Sequence, residues 1–477
     1  MSRLLFVAII FIALILRAIN LDYNSPFNDE AIYAVIGFDG VYKKDWETLD
    51  AFTWMAGSPY VYPVVNSVSY KLGGIEVARF VNVLFGIGTI YLAAETAALF
   101  TVKKRKLATA FITLCLLATL PLSFYVSRLA TYDAPSFMFI MLGLYLVFKN
   151  FTSKEAKNEY YLFAAIAFFV AFVFKYLAII YAAYAVLVSL FYLKKAGLKN
   201  ILRNSWFYYF FTSLSLLFGF FIVLNFTDLF TYISTESAVE ITNVFEKIQL
   251  FMSEYVFLLP FAVFSFGYLF KTKDTKTALV LLLATVTILI FHFGYAGAPS
   301  YEKHLLLSGI FMAVVTGVAL PEFFDNLRAS KKIKGFVQGN FIGFLGFLLI
   351  FLFWQVPTLN SKWRNVDIPL NFLASQVKKG DVVLVETGDV FILGLYDKLG
   401  SVSTVTFDYI DYLGSEDDKA YVTAIEDGYF NYIELEDQQL SKLARNHYLN
   451  DLVAKSLADN YKAIYNDGNV YIYERRF

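Results

Sequence analysis

Residues 160–193 read YYLFAAIAFFVAFVFKYLAIIYAAYAVLVSLFYL, an apolar stretch whose one charged residue is Lys175. A single α-helix of this length would be about 50 Å long at about 1.5 Å per residue. That is too long for one crossing of a hydrocarbon layer about 30 Å thick, even with a tilt. We therefore predict two short membrane helices that turn at Lys175, and this turn decides on which side of the membrane every later loop lies.

The rest of the chain also has the composition of a membrane protein. Of its 477 residues, 58% are hydrophobic and 19% are aromatic, which is more apolar surface than a soluble protein can bury. Because backbone polar groups inside a bilayer must be paired internally, we predict an all-α polytopic membrane domain. It has about eleven transmembrane helices, near residues 4–20, 77–100, 107–127, 134–149, 160–174, 176–193, 206–225, 252–270, 277–293, 304–320 and 336–354.

Charge and cysteine content exclude several functions. The chain has 40 basic and 40 acidic residues, so no nucleic-acid partner is expected. The one cysteine, Cys115, lies in an apolar run, which excludes an intramolecular disulfide and a cysteine-based metal cluster.

Lysine and arginine are concentrated in short loops, a pattern typical of the cytoplasmic face. With the N-terminus cytoplasmic, all of these loops lie on that face: residues 103–106, 149–157, 194–203, 271–276 and 328–334. We predict a multi-pass protein of the cell membrane, in contact with membrane lipids, whose chemistry takes place on the outer side. Residues 1–355 form the transmembrane domain with an outer loop at 22–75, and residues 356–477 form an extracytoplasmic domain.

The C-terminal residues change from long apolar runs to short segments. Residues 381–386 and 401–407 are predicted strands, and residues 436–459 have a helical pattern. Residues 461–465 and 470–474 flank an Asp-Gly pair, which is a hairpin signal. We predict a small soluble α/β domain. It has no glycine-rich phosphate loop or metal-ligand spacing, which favours an accessory role such as acceptor docking or covering of the site.

Residues 24–33, NSPFNDEAIY, follow the first apolar segment and place two adjacent acids, Asp29 and Glu30, at the membrane surface. Asn28 is a suitable N-cap for a short helix through residues 31–36, with both acids in its first turn. The helix dipole there favours an ionised carboxylate, which is ready to accept a proton from a hydroxyl or amine. The alternative is that both acids are solvated loop residues.

Charged residues also stand at three later helix ends. Asp133 begins a helix shortly after Arg128, Lys175 lies between two apolar runs, and Lys303-His304 begins another helix. On the outer face, these cations could together form a site for a phosphate. The plainer alternatives are a capping or solvated aspartate, a snorkelling lysine and an interfacial histidine.

At these residues the chain resembles the GT-C glycosyltransferases, in the branch that includes protein O-mannosyltransferase-like enzymes and the bacterial aminoarabinose transferases acting on lipid A. Residues 29–33, DEAIY, resemble the Asp-Glu motif of that family, and residues 58–63, SPYVYP, stand where the branch often has His-Pro-Pro-Leu-Tyr-Pro. Residues 128–133 resemble its Arg…Pro-Asp turn, and Lys175-Tyr176 resembles its Thr-Lys-Gly/Tyr segment between two short helices.

The resemblance implies transfer of a hexosyl or pentosyl group from a polyprenyl- or dolichyl-phosphate carrier to a protein, lipid or glycan acceptor on the outer face. By position, Asp29 would be the base that deprotonates the acceptor, Glu30 would support it, and Asp133 would be a second acid of the cavity. The residues that would hold the carrier phosphate are Arg128, Lys175, Lys303 and His304.

The acceptor or donor loop would contain Ser58, Tyr60 and Tyr62. Because Ser58 replaces the histidine of the family motif, any metal or hydrogen-bonding role of that position is in doubt. The sequence requires no cofactor and predicts no metal ligand. A divalent metal is possible, but no motif supports it.

Other functions are weighed against this one. Buried charges such as Lys175 would also suit a transporter or flippase for a lipid-linked sugar, but internal repeats and helices broken at the midplane are not found. A membrane-anchored binding protein would leave the Asp29 segment unexplained. A GT-C oligosaccharyltransferase should have a Trp-Trp-Asp-like acceptor motif, which the chain lacks.

Overall fold

The computed structural model describes residues 3–153, 157–193, 204–236, 243–272, 274–294, 301–327, 331–437, 444–457 and 460–476. The chain divides into two compact units. The first comprises Met1–Leu21, Glu47–Tyr62 and Glu76–Leu359, and the second comprises Asp22–Trp46, Pro63–Ile75 and Asn360–Phe477. Most of the predicted outer loop therefore folds with the C-terminal part of the chain.

Helices make up the first unit. Those up to residue 360 are, in chain order, α1 (Arg3–Ala18), α2 (Asn28–Phe38), α3 (Tyr62–Leu99), α4 (Lys106–Thr119), α5 (Pro121–Arg128), α6 (Asp133–Thr152), α7 (Asn158–Phe174), α8 (Ala178–Leu193), α9 (Ser213–Leu224), α10 (Phe226–Glu236), α11 (Val244–Tyr255), α12 (Leu259–Lys271), α13 (Thr275–Gly294), α14 (Tyr301–Asn326) and α15 (Lys331–Asn360). Of these, α2 belongs to the second unit, and so do residues 63–75 of α3, whereas the rest of α3 belongs to the first. The α3 helix is interrupted at Gly73 and Gly74, and Gly74 has φ +67°, a conformation that suits glycine.

The prediction of a polytopic helical membrane protein is confirmed. Within the described residues, six helices are long and apolar enough to cross a membrane, or eight if each of two bent helix pairs is one span. Three more apolar helices, α1, α7 and α8, are shorter. The predicted count of eleven spans stays a prediction.

The predicted helical hairpin is also confirmed. Helix α7 ends at Phe174 and α8 begins at Ala178, and Lys175 between them has extended backbone with φ −150° and ψ 121°. The break leaves backbone groups that no helix can pair, so this part of the chain needs partners from elsewhere.

A further break, at Pro121, lies inside a segment that the sequence analysis treats as one span. Helices α4 and α5 meet there at 68°, because proline has no N–H to continue the helix. The fully buried guanidinium of Arg17 pairs the carbonyl oxygens freed at the end of α4, donating to Leu117 and Ala118 at 3.2 Å each. Its Nε donates to the Ser127 hydroxyl at 3.1 Å. A buried arginine thus replaces the missing helical hydrogen bonds.

In the second unit, residues 360–477 form an α/β sheet domain, as predicted. Its elements are α16 (Asp367–Gln376), β1 (Val383–Val385), α17 (Asp389–Leu399), β2 (Thr404–Thr406), α18 (Asp418–Glu426), β3 (Tyr432–Glu436), α19 (Ala444–Ser456), β4 (Tyr461–Asn466) and β5 (Val470–Arg475). The strand order is β2-β1-β3-β5-β4. Strand β1 pairs in parallel with β2 and β3, whereas β5 pairs antiparallel with β3 and β4.

The sheet contains the predicted strands and hairpin and one strand that the sequence analysis missed, β3. Its sequence, YIELE, alternates acids with apolar residues and looks like an exposed edge. Glu434 is nevertheless buried, and its carboxylate accepts hydrogen bonds from the backbone N–H groups of Glu386 and Thr387, at 2.9 and 3.0 Å. Burial raises the pKa of Glu434 to about 7. The predicted helix at 436–459 begins only at Ala444, and residues 438–443 lie outside the described residues.

Candidate active site

Several polar side chains surround the carboxylate of Asp133, the first residue of α6. Its side chain is fully buried. One carboxylate oxygen, Oδ2, accepts a hydrogen bond from the Thr131 hydroxyl at 2.9 Å, and the other, Oδ1, accepts one from the Lys175 ammonium group. The ammonium group also lies 4.6 Å from the centre of the Tyr132 ring. A buried ion pair of this kind is sustained only when both charges have further polar partners.

Helix α14 adds two more groups to this carboxylate. The Lys303 ammonium lies 3.8 Å from Asp133 Oδ2, and His304 Nε2 lies 3.9 Å from Oδ1. The start of α6, the break between α7 and α8 and the start of α14 therefore converge on one point. The structure brings together four of the predicted site residues, Asp133, Lys175, Lys303 and His304, which we call the Asp133 cluster.

A fifth side chain, His292, extends the Asp133 cluster and was not predicted. Its Nε2 atom lies 2.9 Å from Nδ1 of His304, and its ring is fully buried. The Lys247 ammonium donates to the His292 carbonyl at 2.9 Å. The two histidines are twelve residues apart on different helices, and the sequence gives no partner spacing that would show the contact.

The break that carries Lys175 is paired by residues 56–58. Residues 56–58 run along residues 173–176, and each stretch donates one backbone N–H to a carbonyl oxygen of the other, at 2.9 Å in both cases. A Cβ atom on Gly57 would stand 2.1 Å from the Phe174 carbonyl oxygen, so glycine alone permits this approach. The predicted position Ser58 is thereby brought beside the helix break.

Tyr62 connects this region to the turn before Asp133. Its hydroxyl lies 3.2 Å from Oδ1 of Asn82, and the Asn82 amide donates to the carbonyl oxygens of Leu129 and Thr131. Asn82 is fully buried on α3. These hydrogen bonds hold the turn that places Asp133 at the start of α6. The sequence does not show this contact, because Asn82 lies 47 residues before Leu129.

Two other predicted residues lie in different surroundings. Arg128 is buried at the end of α5, where its guanidinium donates to the carbonyl oxygens of Ile19 and Asn20, just past the end of α1. Tyr60 is half exposed and packs its ring against Phe52, with 5.1 Å between ring centres. Their predicted roles at the phosphate and in the donor or acceptor loop stay predictions.

The second unit contains the Asp29-Glu30 pair, and both acids lie in the first turn of α2, as predicted. The N-cap is Phe27 and not Asn28, because the Glu30 side chain folds back to accept the Phe27 backbone N–H at 2.8 Å. Glu30 is fully buried, and its carbonyl accepts the Asn66 amide at 2.8 Å. The two neighbouring acids therefore differ, since Asp29 is only partly buried and Glu30 closes the helix end.

The donor set of the Asp133 cluster favours an anionic ligand. Within the residues that the structure describes, no three His, Cys, Asp or Glu side chains are arranged to hold a metal ion. The charged groups that meet at the cluster are one carboxylate and two ammonium groups. Ammonium groups at helix ends are typical partners of phosphate oxygens.

Known proteins resemble this chain in part of its sequence and in its fold. Residues 58–224 match the family described as dolichyl-phosphate-mannose-protein mannosyltransferase. No curated protein sequence matches the chain. The structure of ArnT from Cupriavidus metallidurans in the apo state superposes with a TM-score of 0.69 at 15% identity, covering 98% of this chain and 97% of that one.

The chain shares the fold of ArnT. ArnT from the same organism bound to undecaprenyl phosphate superposes with a TM-score of 0.66 at 13% identity, covering 99% of this chain and 98% of that chain. An oligosaccharyltransferase from Archaeoglobus fulgidus, in complex with zinc and sulfate, gives a TM-score of 0.53 at 11% identity, covering 98% of this chain and 73% of that chain. The predicted resemblance to the branch with the aminoarabinose transferases and protein mannosyltransferases is confirmed.

Proposed function

We propose that this chain is a membrane glycosyltransferase that moves a sugar from a polyprenyl-phosphate carrier to an acceptor on the outer face of the membrane. The observation that carries the proposal is the Asp133 cluster, where Lys175 and Lys303 converge on one buried carboxylate at three helix ends. It lies in a GT-C fold shared with ArnT, a solved structure of which is bound to undecaprenyl phosphate.

Release of the sugar requires stabilisation of the phosphate that leaves with the carrier. The Lys175 and Lys303 ammonium groups would offset its charge, with Arg128 and His304 as further contacts. Asp133 would hold both ammonium groups in place before the carrier arrives, so that little reorganisation is needed during the reaction. These cations could hold the charge that develops on the leaving phosphate without a metal ion.

The acceptor requires a base, and we assign that role to Asp29. Its carboxylate stands in the first turn of α2 and is only partly buried. Glu30 would support it by capping the helix, since its carboxylate already accepts the Phe27 N–H. In this scheme Asp29 takes the proton of the acceptor hydroxyl or amine as the sugar–phosphate bond breaks, with inversion at the sugar carbon.

Ser58, Tyr60 and Tyr62 would line the donor or acceptor path beside the Lys175 turn. We also retain the topology with a cytoplasmic N-terminus and residues 356–477 outside. It requires an odd number of spans, and counting each bent helix pair once together with the three short apolar helices gives eleven. The sugar, hexosyl or pentosyl, and the acceptor, protein, lipid or glycan, are to be found by experiment.

The decisive experiment is turnover of a panel of polyprenyl-phosphate sugars by the purified protein, with mass analysis of the carrier phosphate released. We expect release with one or more donors and loss of release in Asp29→Asn, while the variant stays folded. Asp22→Asn, an exposed acid of the same segment, is the matched control and should remain active.

Two results would contradict the proposal. Full activity of Asp29→Asn would remove the base assignment. Movement of the intact lipid-linked sugar across liposomes, with no carrier phosphate released from any donor, would instead indicate the flippase alternative.

A further inference from the structure

The segment that carries Asp29 is fastened to the C-terminal domain on its N-terminal side. The Asn24 side-chain amide donates to the carbonyl oxygens of Asn360 and Trp363, at 3.0 and 2.8 Å. In return, the Trp363 indole N–H donates to the carbonyl oxygen of Ser25 at 2.8 Å. Three hydrogen bonds therefore fix the chain just before the acid pair.

Trp363 also makes aromatic contacts with this segment. Its ring centre lies 5.8 Å from that of Tyr23 and 5.3 Å from that of Phe27. Phe27 is the N-cap of α2, whose backbone N–H is bound by Glu30. The indole therefore packs on the residue at which the acid-bearing helix begins, two positions before Asp29.

A second attachment lies at the other end of α2. The Tyr396 hydroxyl donates to the carboxylate of Asp39 at 2.6 Å, and its ring centre lies 5.2 Å from that of Phe38. The Lys43 ammonium lies 2.8 Å from the Asp39 carboxylate and 4.3 Å from the centre of the Tyr396 ring. Tyr396 belongs to α17, so this end of α2 is also held by the C-terminal domain.

Helices α2 and α17 run side by side in the same direction between these two attachments. Asn28 at the start of α2 is next to Gly388, which precedes α17, whereas Phe38 at its end is next to Tyr396. An isolated helix of this length is marginal in water. The C-terminal domain contacts α2 at both ends and therefore sets the position of α2 and of Asp29 in its first turn.

We infer that the C-terminal domain is part of the catalytic apparatus, with Trp363 and Tyr396 as positioning residues that fix the Asp29 carboxylate for proton abstraction. The inference rests on the proposed function, in which Asp29 is the base. A base that is displaced by about 1 Å loses much of its rate while the donor still binds, because only the geometry of the reacting atoms has changed. The domain would thus act on kcat and leave the KM for the lipid-linked sugar unchanged.

The test is steady-state kinetics of the full-length protein with Tyr396→Phe, which keeps the ring contacts and removes only the hydrogen bond to Asp39. We expect kcat to fall about fivefold at unchanged KM, as for loss of one charge-assisted hydrogen bond. The matched control is Tyr412→Phe, which removes a 2.9 Å tyrosine–aspartate hydrogen bond to Asp427 in the same domain. It should leave kcat unchanged.

A double-substitution cycle excludes a general loss of structure. Tyr396→Phe combined with Asp39→Ala should lower kcat no further than Asp39→Ala alone, because both remove the same bond. Amide hydrogen exchange of residues 28–38 should rise in each variant, while exchange in β1 stays as in the parent. Trp363→Phe keeps an aromatic ring and loses the indole donor at the other attachment. It should likewise lower kcat and raise the exchange of residues 28–38.

Unchanged kcat and unchanged exchange of residues 28–38 in both Tyr396→Phe and Trp363→Phe, with Asp29→Asn inactive, would overturn the inference and leave the proposed function standing. Activity of Asp29→Asn would instead overturn the base assignment itself. The two failures are therefore distinguishable in one set of measurements.

Discussion

Asp133 and Asp29 are both acids at the first turn of a helix, yet the structure treats them differently. Asp133 is fully buried and receives hydrogen bonds or close cations on both carboxylate oxygens. Asp29 is only partly buried, and it is the neighbouring Glu30 that serves the helix end. The comparison shows that the Asp133 carboxylate meets cations inside the first unit, whereas the Asp29 carboxylate is partly exposed, as its proposed role as base requires.

The largest expected effect is a difference in the free energy of unfolding between variants of the two acids. Asp133→Asn removes the carboxylate that accepts from the buried Lys175, and should lower the free energy of unfolding by about 3–5 kcal/mol. Asp29→Asn should change the free energy of unfolding by less than about 0.5 kcal/mol, which is usual for substitutions at partly exposed positions. Thermal unfolding of both purified variants in detergent checks this.

Adding Lys175→Met to Asp133→Asn sharpens the same comparison. The double variant should regain part of the lost stability, since both buried charges are then removed, and should be inactive because the proposed phosphate contact of Lys175 is gone. Equal stability of Asp133→Asn and Asp29→Asn would show that the buried ion pair does not hold the helix ends together.

A medium effect is expected at Gly57, which lets residues 56–58 approach the Lys175 turn. In Gly57→Ala the new Cβ would stand 2.1 Å from the Phe174 carbonyl oxygen, so the two segments must separate at a cost of about 1–3 kcal/mol. Activity should fall with stability, as Lys175 moves from Asp133. The control is Gly219→Ala on α9, where no atom lies within 4 Å of the added carbon and stability should be kept.

The smallest effect concerns the surroundings of Asp29. Burial, together with the negative charges of Asp408 and Asp29, raises the pKa of Asp389 to about 8. Because the folded-state pKa lies above the unfolded value, the folded chain binds a proton that the unfolded chain releases between about pH 4 and pH 8. The contribution of Asp389 to the free energy of unfolding therefore falls as the pH rises through this range.

Asp389→Asn removes that dependence. The stability of the variant relative to the parent should therefore rise from about pH 5 to about pH 8. Thermal unfolding scanned over this range checks the prediction, with Asp397→Asn, an exposed acid on the same helix, as control. A constant difference between variant and parent at all pH values would mean that Asp389 does not titrate on unfolding.

Local pattern was enough to predict much of the fold. The hairpin at Lys175 follows from the length of an apolar run with one charge, and the sheet hairpin follows from Asp467-Gly468. The break at Pro121 could have been predicted from the proline itself. The sequence does not show that Arg17 of α1 pairs the carbonyl oxygens that the break leaves free. Strand β3 was missed because buried acids break the usual alternation.

The charged residues of the candidate site were predicted from the sequence, but the residues that hold them in place were not. Asp133, Lys175, Lys303 and His304 were found because charges are rare in apolar surroundings. Asn82 and His292 act through contacts with other helices, and no residue spacing encodes such contacts. Trp363 was missed for the same reason, since its partners lie more than 300 positions earlier in the chain.

That separation has a consequence for biosynthesis. The bond between Asn24 and the Trp363 carbonyl joins residues 339 positions apart, so Asp29 leaves the ribosome long before its support exists. At about 5–20 residues per second, the acid pair waits roughly 20 to 70 s for its partner. During synthesis the membrane helices are therefore made first, and the proposed base is held in place only after they are complete.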